Sequence, residues 1–166
     1  MSVDKPLYFD LPDDPKVLAA IGAIAIRHGQ LDNALCLAIG SVAGVDREQA
    51  LYATSRQSSR ELRERLRKLA RQRFGDGAAL VNLEALLERA RLASEGRNEV
   101  LHSVWAKELD GDAKIRDEKL QFKPIPSIGE LEKLASDLNE IRQRLLFARQ
   151  EGFLAIAINA TTKSVL

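Results

Sequence analysis

The chain has 166 residues, of which 45% are hydrophobic and 30% are charged, a balance that excludes an intrinsically disordered protein. Its 25 basic and 24 acidic side chains leave a net charge of +1, so overall charge does not predict nucleic-acid binding, although a local basic patch is compatible with it. One cysteine and two histidines exclude an intrachain disulfide and a cysteine-rich zinc site, and we expect no metal or other cofactor.

The first 14 residues are acidic and rich in proline, which predicts an extended N-terminal arm and no secretion signal. The longest apolar run, residues 17–26, is ten residues long, whereas a bilayer span takes about 20. We therefore expect no membrane association and a cytoplasmic location. A helical domain is expected over residues 15–152, followed by a C-terminal tail over 153–166 whose structure the pattern does not indicate.

A long helix is predicted after the arm, with Asp13 or Asp14 as its N-cap and Pro15 in its first turn. Its side chains recur at alternating spacings of four and three, which is the pattern of one buried helix face. Gly44 is the expected end of this helix, and a short helix over about 46–55 follows. The face consists of Val17, Ile21, Ile24, His28, Leu31, Leu35, Ala38 and Val42.

The next predicted helix, about 59–74, is strongly basic and is capped by Ser58 or Ser59. Residues 56–74 contain eight basic and two acidic side chains. Two interpretations of this charge stay open, a solvated surface with ordinary ion pairs or the wall of a groove that follows an RNA backbone. Four arginines share one face of the helix: Arg60, Arg63, Arg67 and Arg71.

The remaining pattern predicts two more long helices with a small β element between them. The first runs from about 78 to 105 or a little beyond, and the second, opened by the capping-box spacing of residues 127–130, runs over about 128–150. Between them, Asp110-Gly111-Asp112 is a turn signal and Leu120-Gln121-Phe122 alternates like a short strand. The predicted fold is mainly α, a four-to-five-helix bundle with a small β-hairpin between the last two long helices.

A charged side chain interrupts the apolar stripe of the helix that begins near residue 78. Arg97 falls on this stripe, so it must reach solvent, form a buried ion pair or line a cavity. Gly96 beside it weakens the helix by about 1 kcal/mol relative to alanine, which indicates that something approaches the backbone closely there. Asn98 and His102 are four residues apart and share a helix face, within reach of the Arg97 side chain.

The stretch from Ser94 to Trp105 resembles bacterial members of the HEPN superfamily that carry Arg-Asn-x-x-x-His, a small residue and then Trp. Gly29 and Asp32 match a glycine and an acidic residue that often lie in the first helix of the same members. The resemblance covers most of residues 14–150. It implies a metal-independent endoribonuclease that acts as a two-fold homodimer on RNA, in the role of a toxin or defence factor with an antitoxin protein as a partner.

Within this resemblance, Arg97, Asn98 and His102 are the candidate catalytic residues. A histidine titrates near neutral pH and can accept the proton of the attacking 2′-hydroxyl, and an arginine fork matches phosphate oxygens. Asp32 is expected either to position Arg97 or His102 from behind or to form a structural ion pair with Arg97. His28 is expected to be a satisfied interior residue whose tautomer Asp32 fixes, with a supporting role at the site as the alternative.

Two other functions stay open at this point. One is a non-catalytic HEPN-type helical module that binds RNA or another protein. The other is a dimeric scaffold whose apolar tail segment, Phe153–Ile158, docks on a partner protein.

Overall fold

The computed structural model describes residues 7–9, 11–108, 111, 113–116 and 121–163. Six helices and four strands occur in these residues. In chain order they are β1 (Leu7–Tyr8), α1 (Pro15–Ala43), α2 (Arg47–Thr54), α3 (Ser59–Phe74), α4 (Ala78–His102), β2 (Val104–Glu108), β3 (Ala113–Arg116), β4 (Phe122–Pro124), α5 (Ile128–Gln150) and α6 (Phe153–Lys163). The mainly α fold with a small β element between the last two long helices is therefore confirmed.

The helix ends follow local chemistry that is visible in the sequence. Asp14 caps α1 by accepting a hydrogen bond from the backbone of Lys16, and Gly44 ends the helix with a positive φ of 73°. Ser58 and Ser127 each form a complete capping box with the glutamate three residues on, which starts α3 and α5. The predicted starts of these helices are thus correct, because side-chain caps act within four residues.

Helix α1 is the centre of the bundle and contacts each of the other five helices. Its buried face meets side chains of α3, α4, α5 and α6 in one continuous apolar core. The largest fully buried members include Ile24, Leu35, Leu66, Leu87 and Leu138. The helices α3 and α4 pack side by side against α1, and this arrangement brings polar residues of all three together.

The sheet is antiparallel with the strand order β1-β2-β3-β4. The predicted hairpin corresponds to β2 and β3, and β4 adds a third strand from the same segment. Strand β1 comes from the N-terminal arm, where Tyr8 pairs with Lys107. The prediction of an extended arm did not include this pairing. Residues 1–6, Asp10, Asp110, Asp112, Leu120 and the last three residues of the tail lie outside the described part of the chain.

Two segments differ from the predicted boundaries. Helix α4 ends at His102 rather than near Trp105, because Val104 and Trp105 pair with Arg116 and Ile115 in the sheet. The tail, whose structure the sequence pattern left open, forms α6 over Phe153–Lys163. Its Leu154 is fully buried in the common core, so the described tail residues belong to the bundle.

Candidate functional site

The three candidate catalytic residues lie together at the C-terminal end of α4. The Nη1 atom of Arg97 donates a hydrogen bond to Asn98 Oδ1 at 2.9 Å and lies 3.1 Å from His102 Nε2. Arg97 is half-buried, whereas Asn98 and His102 are exposed. One guanidinium nitrogen therefore joins an amide and an imidazole at a surface that a ligand or a second protein molecule can reach.

The contact between Arg97 and His102 has a defined direction. A guanidinium only donates hydrogen bonds, so in this contact Nε2 of His102 accepts from Arg97 with its lone pair. The site thus presents a permanent cation in direct contact with a basic nitrogen.

The end of α4 is stabilised by side chains that follow it. The last four carbonyls of a helix have no partner within the helix. The Ser103 hydroxyl bonds to the carbonyl of Glu99, and the Trp105 indole donates to the carbonyl of Val100 at 3.0 Å. Trp105, which belongs to β2, also packs against the helical core and so joins the sheet to the bundle. These bonds hold His102 at the last helical position.

Helix α5 approaches the motif closely at Gly96. A Cβ atom at this position would lie 3.2 Å from the Leu134 side chain, which is tighter than ordinary van der Waals contact. The prediction of a close approach at this glycine is therefore correct. The Arg97 Nε atom beside it is buried and has no hydrogen-bond partner in the described part of the chain. The hydrogen bonds of Arg97 in this part of the chain are made by its Nη1 atom.

Behind the motif, α1, α3 and α4 enclose a network of polar side chains. His28 is 7% exposed, and its Nε2 lies 3.3 Å from both Ser94 Oγ and Ser59 Oγ. Ser59 donates to the Asp32 carboxylate at 2.7 Å, and Ser94 donates to the carbonyl of Ala90 at 2.7 Å. Both hydroxyl protons have closer acceptors, so His28 Nε2 meets the two serines as the donor. In a neutral ring Nδ1 then carries no proton, so these contacts do not support the expectation that Asp32 fixes the tautomer of His28. The interpretation of His28 as a satisfied interior residue agrees with these contacts.

The charges around His28 favour its neutral form. Burial lowers the pKa of His28 below the ordinary value of 6.5, and the positive charges of Arg97 and Arg63 lower it further. The Asp32 carboxylate, whose Oδ2 is 3.6 Å from Nδ1, opposes this change. The influence of Arg97 shows that the inner network and the motif at the surface share one electrostatic environment.

Asp32 does not contact the motif directly. Its carboxylate is bonded to Ser59, and within the described residues no hydrogen bond or ion pair joins it to Arg97 or His102. The expected structural ion pair between Asp32 and Arg97 is absent from this arrangement. Asp32 faces His28 instead, with its Oδ2 atom 3.6 Å from His28 Nδ1.

The four arginines of the basic face lie in different environments. Arg60 pairs with Glu64, and Arg71 pairs with Asp76 and Glu84. Arg67 lies 3.8 Å from Glu84. Arg63 points inward, is 9% exposed and donates to Ser94 Oγ at 3.1 Å. The solvated-surface interpretation therefore fits Arg60 and Arg71 but not Arg63.

Sequence reasoning did not assign Ser59 and Ser94 to the site. A hydroxyl on an otherwise apolar stripe was the available signal for Ser94. For Ser59 the signal was the second serine at a helix start that needs only one cap, which leaves a hydroxyl for another use. Neither signal identifies a partner, because His28, Ser59 and Ser94 come from three different helices.

Comparison with known proteins found no matching family model, no matching curated protein and no matching solved structure. Within the described residues, no helix combines the length and apolar character needed to cross a bilayer. The same residues contain no group of three or more histidine, cysteine, aspartate or glutamate side chains placed to hold a metal ion.

Proposed function

We propose that this chain is a HEPN-like endoribonuclease that cleaves RNA by attack of a 2′-hydroxyl on the neighbouring phosphate, without a metal ion. The observation that supports the proposal is the contact of 3.1 Å between Arg97 Nη1 and His102 Nε2 at an exposed helix end. Arginine recognises phosphate oxygens, and a neutral imidazole accepts a proton at neutral pH. Both groups are accessible to a polynucleotide strand.

The reaction divides between these groups. The 2′-oxygen bonds to phosphorus while the bond from phosphorus to the 5′-oxygen breaks, which leaves a 2′,3′-cyclic phosphate and a 5′-hydroxyl. A substrate phosphate that takes over the Arg97 guanidinium frees the His102 lone pair to accept the 2′-hydroxyl proton. Arg97 then stabilises the charge that develops on the phosphate oxygens, and Asn98 orients the phosphate or the imidazole.

The leaving 5′-oxygen requires a proton from a second donor. Attack and departure occur on opposite sides of phosphorus, so a single imidazole cannot hold both positions at once. A two-fold homodimer places a second His102 across the phosphate. This second imidazole, in its protonated form, donates its proton to the 5′-oxygen while the first imidazole gains the proton of the 2′-hydroxyl. The exposure of Asn98 and His102 leaves this helix end available for such an interface.

The direct test is cleavage of single-stranded RNA in the presence of EDTA. We expect His102→Ala and Arg97→Ala each to lower the cleavage rate by roughly 10²–10⁴-fold, the range typical for loss of a general acid–base group. Arg144→Ala, which removes an exposed arginine on α5 that pairs with Glu140, is the matched control and should retain the wild-type rate. Undiminished cleavage by His102→Ala would eliminate this histidine as the catalyst.

Dimer formation is tested by adding inactive chains to active ones. An excess of His102→Ala protein should lower the wild-type rate beyond simple dilution, because mixed dimers contain one imidazole instead of two. Analytical ultracentrifugation should give a dimer at the concentrations where cleavage occurs. A chain that cleaves RNA as a monomer contradicts the shared site.

A second candidate function is a non-catalytic HEPN-type module that binds RNA or a protein. It is favoured by the bonds that Arg97 makes to Asn98 and His102 within its own chain, since a guanidinium held in this way can be structural. In the cleavage assay this function gives RNA binding without turnover. The third function, docking of the tail on a partner, loses support because Phe153 and Ile158 pack against the core of the chain itself.

The cellular role that we propose is that of a cytoplasmic toxin or defence factor controlled by an antitoxin protein. Expression of the wild-type chain in bacteria should then arrest growth, and Arg97→Ala should relieve the arrest at equal protein level. Equal growth arrest by both chains contradicts a toxic role that depends on cleavage.

A further inference from the structure

A second polar site lies between α3 and α4, on the other side of Ser94 from His28. It is a cleft of about 320 Å³. Four arginines and two glutamates line it, which gives the walls a net charge of +2. The lining residues are Arg60, Arg63, Glu64, Arg67, Arg91 and Glu95.

Arg63 forms the floor of this cleft and has no close counter-ion. It is 9% exposed, and its one hydrogen bond within the described residues goes to the neutral hydroxyl of Ser94. No carboxylate of the described chain lies within ion-pair distance of it, although Asp32 and Glu95 act on it from further away. A buried cation without a paired anion is costly. Burial correspondingly lowers the pKa of Arg63 from its ordinary value.

The other arginines of the cleft differ in how strongly they are neutralised. Arg60 bonds to Glu64 at 2.9 Å, and Arg91 bonds to both Glu88 and Glu95. Arg67 has its carboxylate, Glu84, at 3.8 Å, which is beyond hydrogen-bond distance. Arg63 and Arg67 are thus the two cations of the cleft with capacity for a further anion.

We propose that this cleft binds a phosphate group, with Arg63 at its floor and Arg67 beside its mouth. Arginine forks match phosphate oxygens in pairs. No aromatic side chain lines the cleft, so it offers no surface for stacking a base and recognises phosphate without reading sequence. Glu64 and Glu95 repel an anion at the walls and limit its affinity.

The phosphate has two potential sources, the backbone of an RNA strand or a small phosphate ligand. An RNA source rests on the proposed function, which places a strand at Arg97. Glu95 of the cleft and Arg97 are two residues apart on α4, about 3 Å along the helix axis and about 160° around it. A strand bound at both positions therefore has to cross the helix. Phosphate binding itself does not depend on nuclease activity. An experiment can therefore contradict the nuclease proposal without contradicting the phosphate site, and the reverse.

A phosphate bound in the cleft should change a property of the neighbouring His28 that can be measured, its pKa. Arg63 and His28 meet at the same Ser94 hydroxyl, and the charge of Arg63 lowers the pKa of His28. A phosphate bound to Arg63 neutralises that charge. The pKa of His28 should therefore rise when the cleft is filled, with no need for turnover.

The first experiment titrates His28 by NMR with and without inorganic phosphate at constant ionic strength, on the full chain. We expect phosphate to raise the pKa of His28 in the wild type and in Arg144→Gln, and to raise it less in Arg67→Gln. Arg144 is the matched control because it is an exposed arginine of α5 that pairs with Glu140 and does not line the cleft. A His28 titration unaffected by phosphate overturns the site for small phosphates.

The second experiment measures binding of single-stranded 2′-O-methyl RNA, which lacks the attacking hydroxyl and is not cleaved. Each cleft arginine that contacts a phosphate should contribute about 0.7 to the slope of log K against log salt concentration. Arg67→Gln and Arg63→Gln should flatten the slope by about this amount, and Arg144→Gln should not. If removal of the buried Arg63 guanidinium unfolds the chain, the result for Arg67→Gln alone decides the test.

The two results together identify the source. A response to phosphate with a flattened RNA slope supports an RNA backbone phosphate, and a response to phosphate with an unchanged slope supports a small phosphate ligand. Absence of both effects overturns the cleft as a phosphate site. If the wild-type chain binds phosphate in the cleft but does not cleave RNA, the nuclease proposal fails and the phosphate-site proposal stands.

Discussion

At the scale of single residues, the Ser94 hydroxyl connects the parts of the site. It accepts hydrogen bonds from His28 and Arg63 and donates its own proton to the carbonyl of Ala90. Every capacity of this hydroxyl is therefore used inside the core. Because buried polar groups are costly without partners, the three helices that supply these side chains are held in one relative position, and Arg97 is placed beside them.

The buried His28 makes stability depend on pH. Its pKa in the folded chain is lower than the value of 6.5 for a free side chain, so below pH 6.5 protons bind the unfolded chain more readily than the folded one. The contribution of His28 to the free energy of unfolding is therefore fully present above pH 6.5. It declines as the pH falls from 6.5 toward the lower pKa of the folded chain. The slope from this one group is at most about 1.4 kcal/mol per pH unit.

Thermal unfolding of the wild type and of His28→Gln between pH 5 and 7.5 checks this prediction. Glutamine keeps a donor for the serine hydroxyls and does not titrate, so the variant should show a flatter dependence of Tm on pH below 6.5. Identical slopes for both chains would mean that His28 does not carry the effect.

At the scale of elements, two glycines of α1 have the same low helix propensity but different packing. A Cβ added at Gly22 meets no atom within 4 Å, whereas one at Gly40 would lie 2.6 Å from the Ala50 Cβ of α2. Glycine inside a helix costs about 1 kcal/mol relative to alanine at either position. Gly40 is therefore required by the close approach of α2, and Gly22 is not.

The two alanine substitutions should change stability in opposite directions. Gly22→Ala should raise the free energy of unfolding by about 0.5–1 kcal/mol. Gly40→Ala should lower it by roughly 1–3 kcal/mol, since the added methyl group overfills the contact between α1 and α2. Urea denaturation of both variants measures the difference, and stabilisation by Gly40→Ala would show that α2 does not lie this close.

At the scale of the whole molecule, α6 joins the C-terminal segment to the rest of the fold. Leu154 is fully buried against the common core. Arg73 of α3 donates to the carbonyl of Val42 at the end of α1 at 2.6 Å, and its other nitrogens reach Thr161 and Thr162 of α6. One side chain therefore bonds to two further helices, and the bundle includes the described tail.

Two substitutions in α6 test this packing. Leu154→Ala should destabilise the chain by about 2–5 kcal/mol, the usual cost of emptying a core leucine site. Ile156→Ala, two residues away and 66% exposed, should change stability by no more than about 0.5 kcal/mol. Equal effects at the two positions in urea denaturation would show that α6 is not docked in solution.

The starts of α1, α3 and α5 and the end of α1 were predictable because caps and helix-ending glycines act over a few neighbouring residues. The grouping of Arg97, Asn98 and His102 was predictable for a similar reason, since they fall within six consecutive helical positions and are within side-chain reach of one another. The helical structure of the tail was not, because Phe153–Lys163 gains its stability from burial of Leu154 against other helices rather than from local signals.

The sequence by itself determined the local features of this protein, namely the periodic helices, their caps, the basic segment and the motif at the end of α4. Only the tertiary structure decided that Arg63 turns inward, that Ser59 and Ser94 join His28, and that Asp32 bonds to Ser59 rather than to the motif. The physical reason is distance along the chain. Arg63 and Ser94 are 31 residues apart, and His28 and Ser94 are 66 apart, so only the packing of α1, α3 and α4 brings these side chains within hydrogen-bond distance.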